Sequence, residues 1–365
     1  MSRARDYGLL VRPSSKRYLD QVAAAMAPTL SHYPIKIAVI TDTHDKFRPA
    51  MTYYGPTGLM HVSEQSYLAQ LVGADLRVHL GDAIDGSERP MLGRMRLALM
   101  SGTLATGPGE FMLAKGNHDD NDKFAEARGG RGAFMPAEYD ALVQPALALQ
   151  EGIHTAAGGV QYRDYDRLRV IILNTSDNAV HRHRGRKVPD EKRQLAVREP
   201  QLRALAKILA GAGPRDILLL GHAPALRPGG RVGLTHGAEA VQGLLEAFRA
   251  RHKGRLVLPE PADSDYAGSV DYDFTQVRGR FSAYLAGHWH TEAQYQVRGV
   301  NYTLLNCSAL MGPYHLITTD YNRAWHRRLG TSTESAGYIL GLDPRRHRLA
   351  ILGYGATSRV RIINY

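Results

Sequence analysis

Five short clusters in the chain carry side chains able to bind cations. They are Asp42-Thr-His44, Gly81-Asp82-Ala-Ile-Asp85, Gly116-Asn117-His118-Asp119, Gly221-His222 and Gly287-His288-Trp-His290. Carboxylate, imidazole and amide oxygen form the donor set that suits divalent Mn, Fe or Zn. In extended backbone, residues i and i+2 project to the same side. Asp42 and His44 can therefore reach one ion together, and His288 and His290 can straddle two. A carboxylate placed between two cations can bridge them and relieve their repulsion. Each cluster alone also fits an ordinary polar turn or helix cap. The conjunction of five points to one two-metal site.

The clusters share a position: each follows a run that reads as a β-strand. The runs are Ile35–Thr41, Asp75–Leu80, Glu110–Ala114, Asp216–Leu220 and Ser282–Ala286. A sixth run, Arg169–Leu173, has no such cluster behind it. Near-continuous apolar strands belong in a sheet covered on both faces. Helical patterns over Ser63–Val72, Glu191–Leu209 and Ala238–Phe248 alternate with them, which predicts α/β layers. Ligand sites in open α/β sheets lie beyond the carboxyl ends of the strands, so the five clusters should converge in one crevice. After about residue 280 the pattern changes to short strands over Glu292–Val297, Asn301–Asn306, Gly337–Leu342, Arg348–Leu352 and Arg359–Ile363. These suggest a second, more antiparallel sheet. The reading is one domain over 35–365 with loop insertions near 45–61 and 224–280. An N-terminal extension, 1–34, precedes it, with a short surface helix at 15–27.

The chain has 365 residues, 44% hydrophobic and 22% charged. That excludes a wholly disordered chain. A single cysteine, Cys307, excludes an internal disulfide framework and CxxC zinc sites. No apolar run approaches the roughly 18 residues of a bilayer span, and Val22–Ala27 is short for a signal peptide, so a cytoplasmic location is expected. The formal net charge is +11. It is compatible with plain solubility or with an anionic partner such as a phosphate ester or nucleic acid. The one dense basic cluster is His181-Arg-His-Arg-Gly-Arg-Lys187, and acids gather at Asp263, Asp265, Asp271 and Asp273. Asp119 is expected to hold a turn, Asp45 to be solvated and Cys307 to be a core thiol. His61, His79 and His236 are expected to be structural. Arg89, Tyr54 and the 181–187 cluster are candidates to touch substrate. Trp289 could pack under the site or wall a pocket.

The five clusters, in this order, resemble the motif set of the calcineurin-like metallophosphoesterases, and the resemblance spans residues 37–290. It implies a four-layer α/β/β/α sandwich with two central mixed sheets. It implies that Asp42, His44 and His290 hold one divalent metal ion and Asn117, His222 and His288 the other, with Asp82 bridging. It implies that His118 sits beside the scissile phosphate and that Asp85 orients its ring. The family's Ser/Thr protein phosphatases carry Arg after the second Asp of the second motif, where this chain has Gly86. The sequence thus looks more like the diverse bacterial and phage phosphoesterases.

The function expected is that of a binuclear metal-dependent hydrolase of a phosphodiester or phosphomonoester. Metal-bound hydroxide attacks in line, and His118 protonates the leaving alkoxide. Insertions flanking the crevice favour small substrates. One alternative is a nuclease of the same superfamily, favoured by the net charge and the 181–187 cluster and weakened by the acidic patch. Another is a phage or envelope assembly component that keeps the fold.

Overall fold

Nearly every residue of Ile35–Ile40 is aliphatic, and such a strand needs cover on both faces. The computed structural model, which describes residues 7–48, 53–123, 132–311 and 327–365, supplies that cover. In chain order the elements begin α1 (Pro13–Leu30), β1 (Ile35–Ile40), β2 (Tyr53–Tyr54), α2 (Gly58–Val72), β3 (Leu76–His79), α3 (Pro90–Ala105), β4 (Glu110–Leu113) and α4 (Pro136–Leu147). Next come β5 (His154–Thr155), β6 (Gln161–Asp164), β7 (Leu168–Leu173), β8 (His181–His183), β9 (Arg186–Val188), α5 (Glu199–Ala210), β10 (Asp216–Gly221) and α6 (Ala238–Ala250). The chain continues through β11 (Lys253–Val257), β12 (Ser269–Asp273), β13 (Phe281–Ala286), β14 (Ala293–Val297), β15 (Val300–Leu304) and β16 (Leu310–Met311). It ends in β17 (Ala336–Asp343), β18 (Arg348–Gly355) and β19 (Val360–Asn364).

Two large mixed sheets result. One has the order β19-β18-β17-β1-β3-β4, the other β14-β15-β13-β10-β7-β6-β5. The two-residue period of a strand decides which side chains go where. Ile37 and Val39 of β1 meet Leu218 and Leu220 of β10 in the core between the sheets. Their neighbours Ala38 and Ile40 point out, under the helices. On the other sheet Ile217 and Leu219 point out beneath α5 and α6. Helices α1 and α2 cover one part of the outer face of the first sheet, and α3 and α4 the other. The fold is thus an α/β/β/α sandwich, as the motif resemblance implies.

Several local expectations are corrected. The strands after residue 280 do not make a sheet of their own. β14 and β15 extend the sheet that holds β10, whereas β17–β19 join the sheet that holds β1. The helix expected from Glu191 begins only at Glu199, because Pro200 lacks the N–H that a helix interior needs and fits only its first turn. Residues 191–198 instead run beside other loops, with Ala196 N–H donating to Thr175 O (2.9 Å) and Val197 N–H to His236 O (3.2 Å). The N-terminal helix is longer than expected and is part of the sandwich: Leu19, Met26 and Leu30 are buried against Tyr33, Ile339 and Leu352. The stretch 224–280 contains the covering helix α6 and the β11–β12 hairpin. Part of the 45–61 stretch, residues 49–52, lies outside the described residues. Among the described residues no helix is long and apolar enough to cross a membrane.

Leu30→Ala should lower stability by about 2–5 kcal/mol, the usual cost of emptying a buried leucine site, whereas Gln21→Ala on the exposed face of α1 should change it by less than about 0.5 kcal/mol. Urea unfolding followed by circular dichroism distinguishes this from a loosely attached helix, in which both variants would behave alike.

Candidate metal centre

β1, β3 and β4 are parallel neighbours, and so are β10 and β13, so the loops after all five strands open at one edge of the sandwich. The loops approach one another closely enough to be cross-linked by hydrogen bonds. Asp42 N–H donates to Gly81 O (3.0 Å) and His44 N–H to Asp82 O (3.0 Å). His118 N–H donates to Asp82 Oδ1 (2.8 Å), and His288 N–H to Asp42 Oδ2 (3.1 Å). Glycine makes this approach possible: a Cβ on Gly116 would run into the Asp82 backbone and carboxylate, and one on Gly287 into Thr41 and Asp42. Five of the clustered residues, Asp42, His44, Asp82, His288 and His290, have φ between 43° and 65°. Side chains other than glycine rarely adopt this left-handed region, and such strain concentrates at functional sites.

The side chains form two sets that share one carboxylate. Asp42, His44, Asp82 and His290 place ligand atoms within 4.8 Å of one another, and so do Asp82, His222 and His288. In the first set, His290 Nε2 lies 3.1 Å from both His44 Nε2 and Asp42 Oδ1. In the second, Asn117 Oδ1 lies 2.8 Å from His222 Nε2 and 2.9 Å from His288 Nδ1. Asp82 Oδ2 stands between them, 3.7 Å from His44 Nε2 and 3.4 Å from His222 Nε2. Outer contacts aim the ligands. His222 Nδ1 bonds Leu80 O (3.0 Å), which leaves Nε2 for the site. Asn117 Nδ2 donates to Lys192 O (3.3 Å), which turns its amide oxygen inward.

The electrostatics suit cations. Burial alone would raise the pKa of Asp42 and Asp82, but the facing imidazoles outweigh it and keep both carboxyls well below the usual range. Burial pushes His44 down and His288 down to about 3, so their rings offer lone pairs rather than charge. His222 is the exception: burial lowers it, but Asp82 overcomes this and lifts it to about 9. Two buried carboxylates converge here with imidazole nitrogens and an amide oxygen, and such a donor set fits two divalent ions.

All seven residues expected to bind metal are therefore brought together. His118 is beside them, with Nε2 3.9 Å from Asp82 Oδ2 and its ring edge-on to His44. Asp85 is not where it was expected. Its carboxylate takes Lys46 Nζ (3.1 Å), Lys123 and Ser87, and its imidazole contact is with His44 Nδ1 at 4.0 Å. His118 Nδ1 has no hydrogen-bond partner among the described residues. The reason is charge: two ammonium groups compete for the Asp85 oxygens more strongly than a neutral imidazole does.

Other expectations divide. Asp119 does hold a turn, accepting Gly116 N–H (2.7 Å) and Ile84 N–H (3.1 Å) and so tying two metal loops together. Asp45 is not solvated; it is buried against Arg96 (3.3 Å) and accepts Leu59 N–H (3.1 Å). Cys307 is a buried thiol beside Arg327. His61 bonds Glu334 and Ser308, His79 bonds Thr43, and His236 bonds Glu260. Arg89 occupies the N-cap position of α3 without a side-chain capping bond, and Trp289 stacks beneath the Arg227 guanidinium, whose carbon lies 3.7 Å from the indole ring centre. Residues 181–188 form the β8–β9 hairpin. Sequence reasoning missed Thr41, whose hydroxyl donates to Asp42 Oδ2 (2.6 Å), and the lysines on Asp85. It also missed a buried cage in which Lys187 meets Asp120, Asp122 and Glu191. Lone lysines, serines and threonines carry no spacing signal that could have marked them.

The calcineurin-like phosphoesterase family matches residues 35–292, a stretch that holds every one of these candidate ligands. The chain belongs to this family. Its structure is similar to that of a dimetal phosphatase from Danio rerio, with a TM-score of 0.59 and 14% identity over 91% of this chain and 99% of the other. A second similar structure is GAP50, the anchor in the inner membrane complex of Plasmodium. It has a TM-score of 0.45 and 10% identity over 90% of this chain and 88% of that one. No curated protein sequence matches the chain.

Saturating Mn²⁺ should stabilise this phosphoesterase family member by mass action, by about 2.7 kcal/mol at a hundred times the dissociation constant. Gly116→Ala should abolish the Mn²⁺-induced rise in Tm, because the added methyl displaces the Asp82 carboxylate. An unchanged rise in the variant would show that the close approach of the two loops is not what shapes the site.

Proposed function

We propose that the protein is a binuclear metal-dependent phosphoesterase that hydrolyses a phosphodiester or phosphomonoester. The observation that carries this reading is the position of Asp82 Oδ2, shared between two complete ligand sets. Asp42, His44 and His290 would hold one ion, Asn117, His222 and His288 the other, with Asp82 common to both. Mn, Fe and Zn all suit these ligands. Ions bound there supply Lewis acidity toward the phosphoryl oxygens and acidify a coordinated water.

The chain's own groups do the rest. His118 is 7% exposed; among the described residues its Nδ1 has no hydrogen-bond partner, and its Nε2 stands 3.9 Å from Asp82 Oδ2. It is therefore placed to hydrogen-bond the phosphoryl group and, when protonated beside that anionic group, to pass the proton to the leaving oxygen, a step typically worth about 10²–10⁴-fold. Asp85 is a positioning residue: it holds the Lys46 and Lys123 ammonium groups beside His44. Those cations offset the charge of an incoming phosphate. The presence of a metal-binding side chain at each of the seven expected positions supports an enzyme over an assembly component that retains only the fold.

Asp82→Asn should reduce the bound metal from two ions per chain and should lower turnover of bis-nitrophenyl phosphate by about 10²-fold or more. Two ions and full activity in the variant would remove the basis of the proposal. His118→Ala should keep its metal, by elemental analysis, and lose most rate on alkyl esters, whose leaving groups need a proton. Equal losses on alkyl and nitrophenyl esters would exclude the proton-donor role.

A further inference from the structure

We infer that the β8–β9 hairpin binds the phosphate backbone of a single-stranded nucleic acid and holds it beside the metal centre. The inference rests on the phosphoesterase reading and names a substrate class for it. The hairpin pairs His181 with Val188, Arg182 with Lys187 and His183 with Arg186, and it turns through Arg184 and Gly185. Cross-strand partners share a face, and alternate residues change face. The two faces have different tasks.

One face is locked to the body. Lys187, with a side chain 1% exposed, enters the cage of Asp120, Asp122 (3.3 Å) and Glu191 (2.9 Å). Glu191 also takes Lys115 Nζ at 2.7 Å. Lys115 immediately precedes Gly116-Asn117, and Asp120 and Asp122 closely follow His118. The root of the hairpin is therefore fixed to both ends of the loop that carries Asn117 and His118. Arg182 adds a contact to Glu138 of α4 (3.6 Å).

The other face and the tip have no such partners among the described residues. His181, His183, Arg184 and Arg186 are exposed, and no described acidic group pairs with either arginine. An unpaired guanidinium fork matches a phosphate, and exposed imidazole rings can stack on unpaired bases. A rigidly mounted basic arm next to a phosphoester site suits a substrate with further phosphates beyond the one being cleaved. The acidic patch that spoke against nucleic acid is partly neutralised: across the β11–β12 ladder Asp273 faces Lys253 (3.4 Å) and Asp271 faces Arg255 (3.8 Å). Contacts to backbone and base faces alone predict little sequence preference.

The test is fluorescence anisotropy of the full-length, Mn²⁺-loaded protein with a hydrolysis-resistant phosphorothioate oligonucleotide of about 12 nucleotides. Vesicles of anionic phospholipid are titrated in parallel. The double variant Arg184→Asn/Arg186→Ser should bind the oligonucleotide at least about tenfold more weakly. Its salt dependence should be shallower by about 1.4 in the slope of log K against log salt, at about 0.7 per lost phosphate contact. No oligonucleotide binding by the unaltered protein, an unchanged slope in the variant, or preferential binding to the vesicles would each overturn the inference. Turnover of bis-nitrophenyl phosphate by the unaltered protein is read separately. A protein that cleaves the ester but ignores the oligonucleotide refutes the hairpin's role and leaves the phosphoesterase reading intact.

Discussion

A single ionised carboxylate, buried where two sheets end, sets the terms for the rest of the molecule. Asp82 is 1% exposed, and an isolated charge there would be expensive to remove from water. The structure answers with donors on every side. His118 N–H bonds one of its oxygens, and imidazoles from three different strand ends surround the other. No single segment could supply these partners. They must come from β1, β4 and β10, which belong to two different sheets. The demand of one charge therefore links the sheet packing to the site.

That demand also explains where the chain accepts strain. Gly81 and Gly116 stand where the β3 and β4 loops nearly touch: a methyl on Gly81 would meet the Gly116 backbone, and one on Gly116 the Asp82 backbone. Asp42, His44, His288 and His290 cannot use glycine's freedom, because each needs its side chain, yet each sits in the left-handed region. The inter-sheet core, where Val39, Val78, Leu220 and Leu285 interlock, is the rigid frame that can hold such conformations in place.

Charge beyond the ligands is arranged in the same way, as buried groups that answer one another. Lys187 and Lys115 meet Glu191, while Lys46 and Lys123 meet Asp85. A broken buried pair leaves an uncompensated charge, so these contacts pin the loops on either side of the candidate metal centre. The 46 lysines and arginines thus include cations consumed in buried pairs and cations that meet no acid among the described residues, Arg184 and Arg186 among the latter.

The sequence by itself determined the candidate ligands and the strands that carry them. The five clusters were legible because they occur together and in one order, each directly after an aliphatic run, and the near-continuous aliphatic character of each run identified its strand. Helices α3 and α4 were not legible: they bury residues against each other, β4 and, for α3, α2, so their apolar residues mark no single face along the chain. The tertiary structure alone decided which sheet each late strand joined, because β17 pairs with β1 across about 300 residues of chain and strand pairing leaves no local mark. It alone decided that Asp85 answers two lysines rather than His118, and that Asp45 and Lys187 are buried. Those outcomes depend on which opposite charge lies within a few ångströms. Spacing along a chain specifies the groups a loop offers, but only packing specifies the groups it meets.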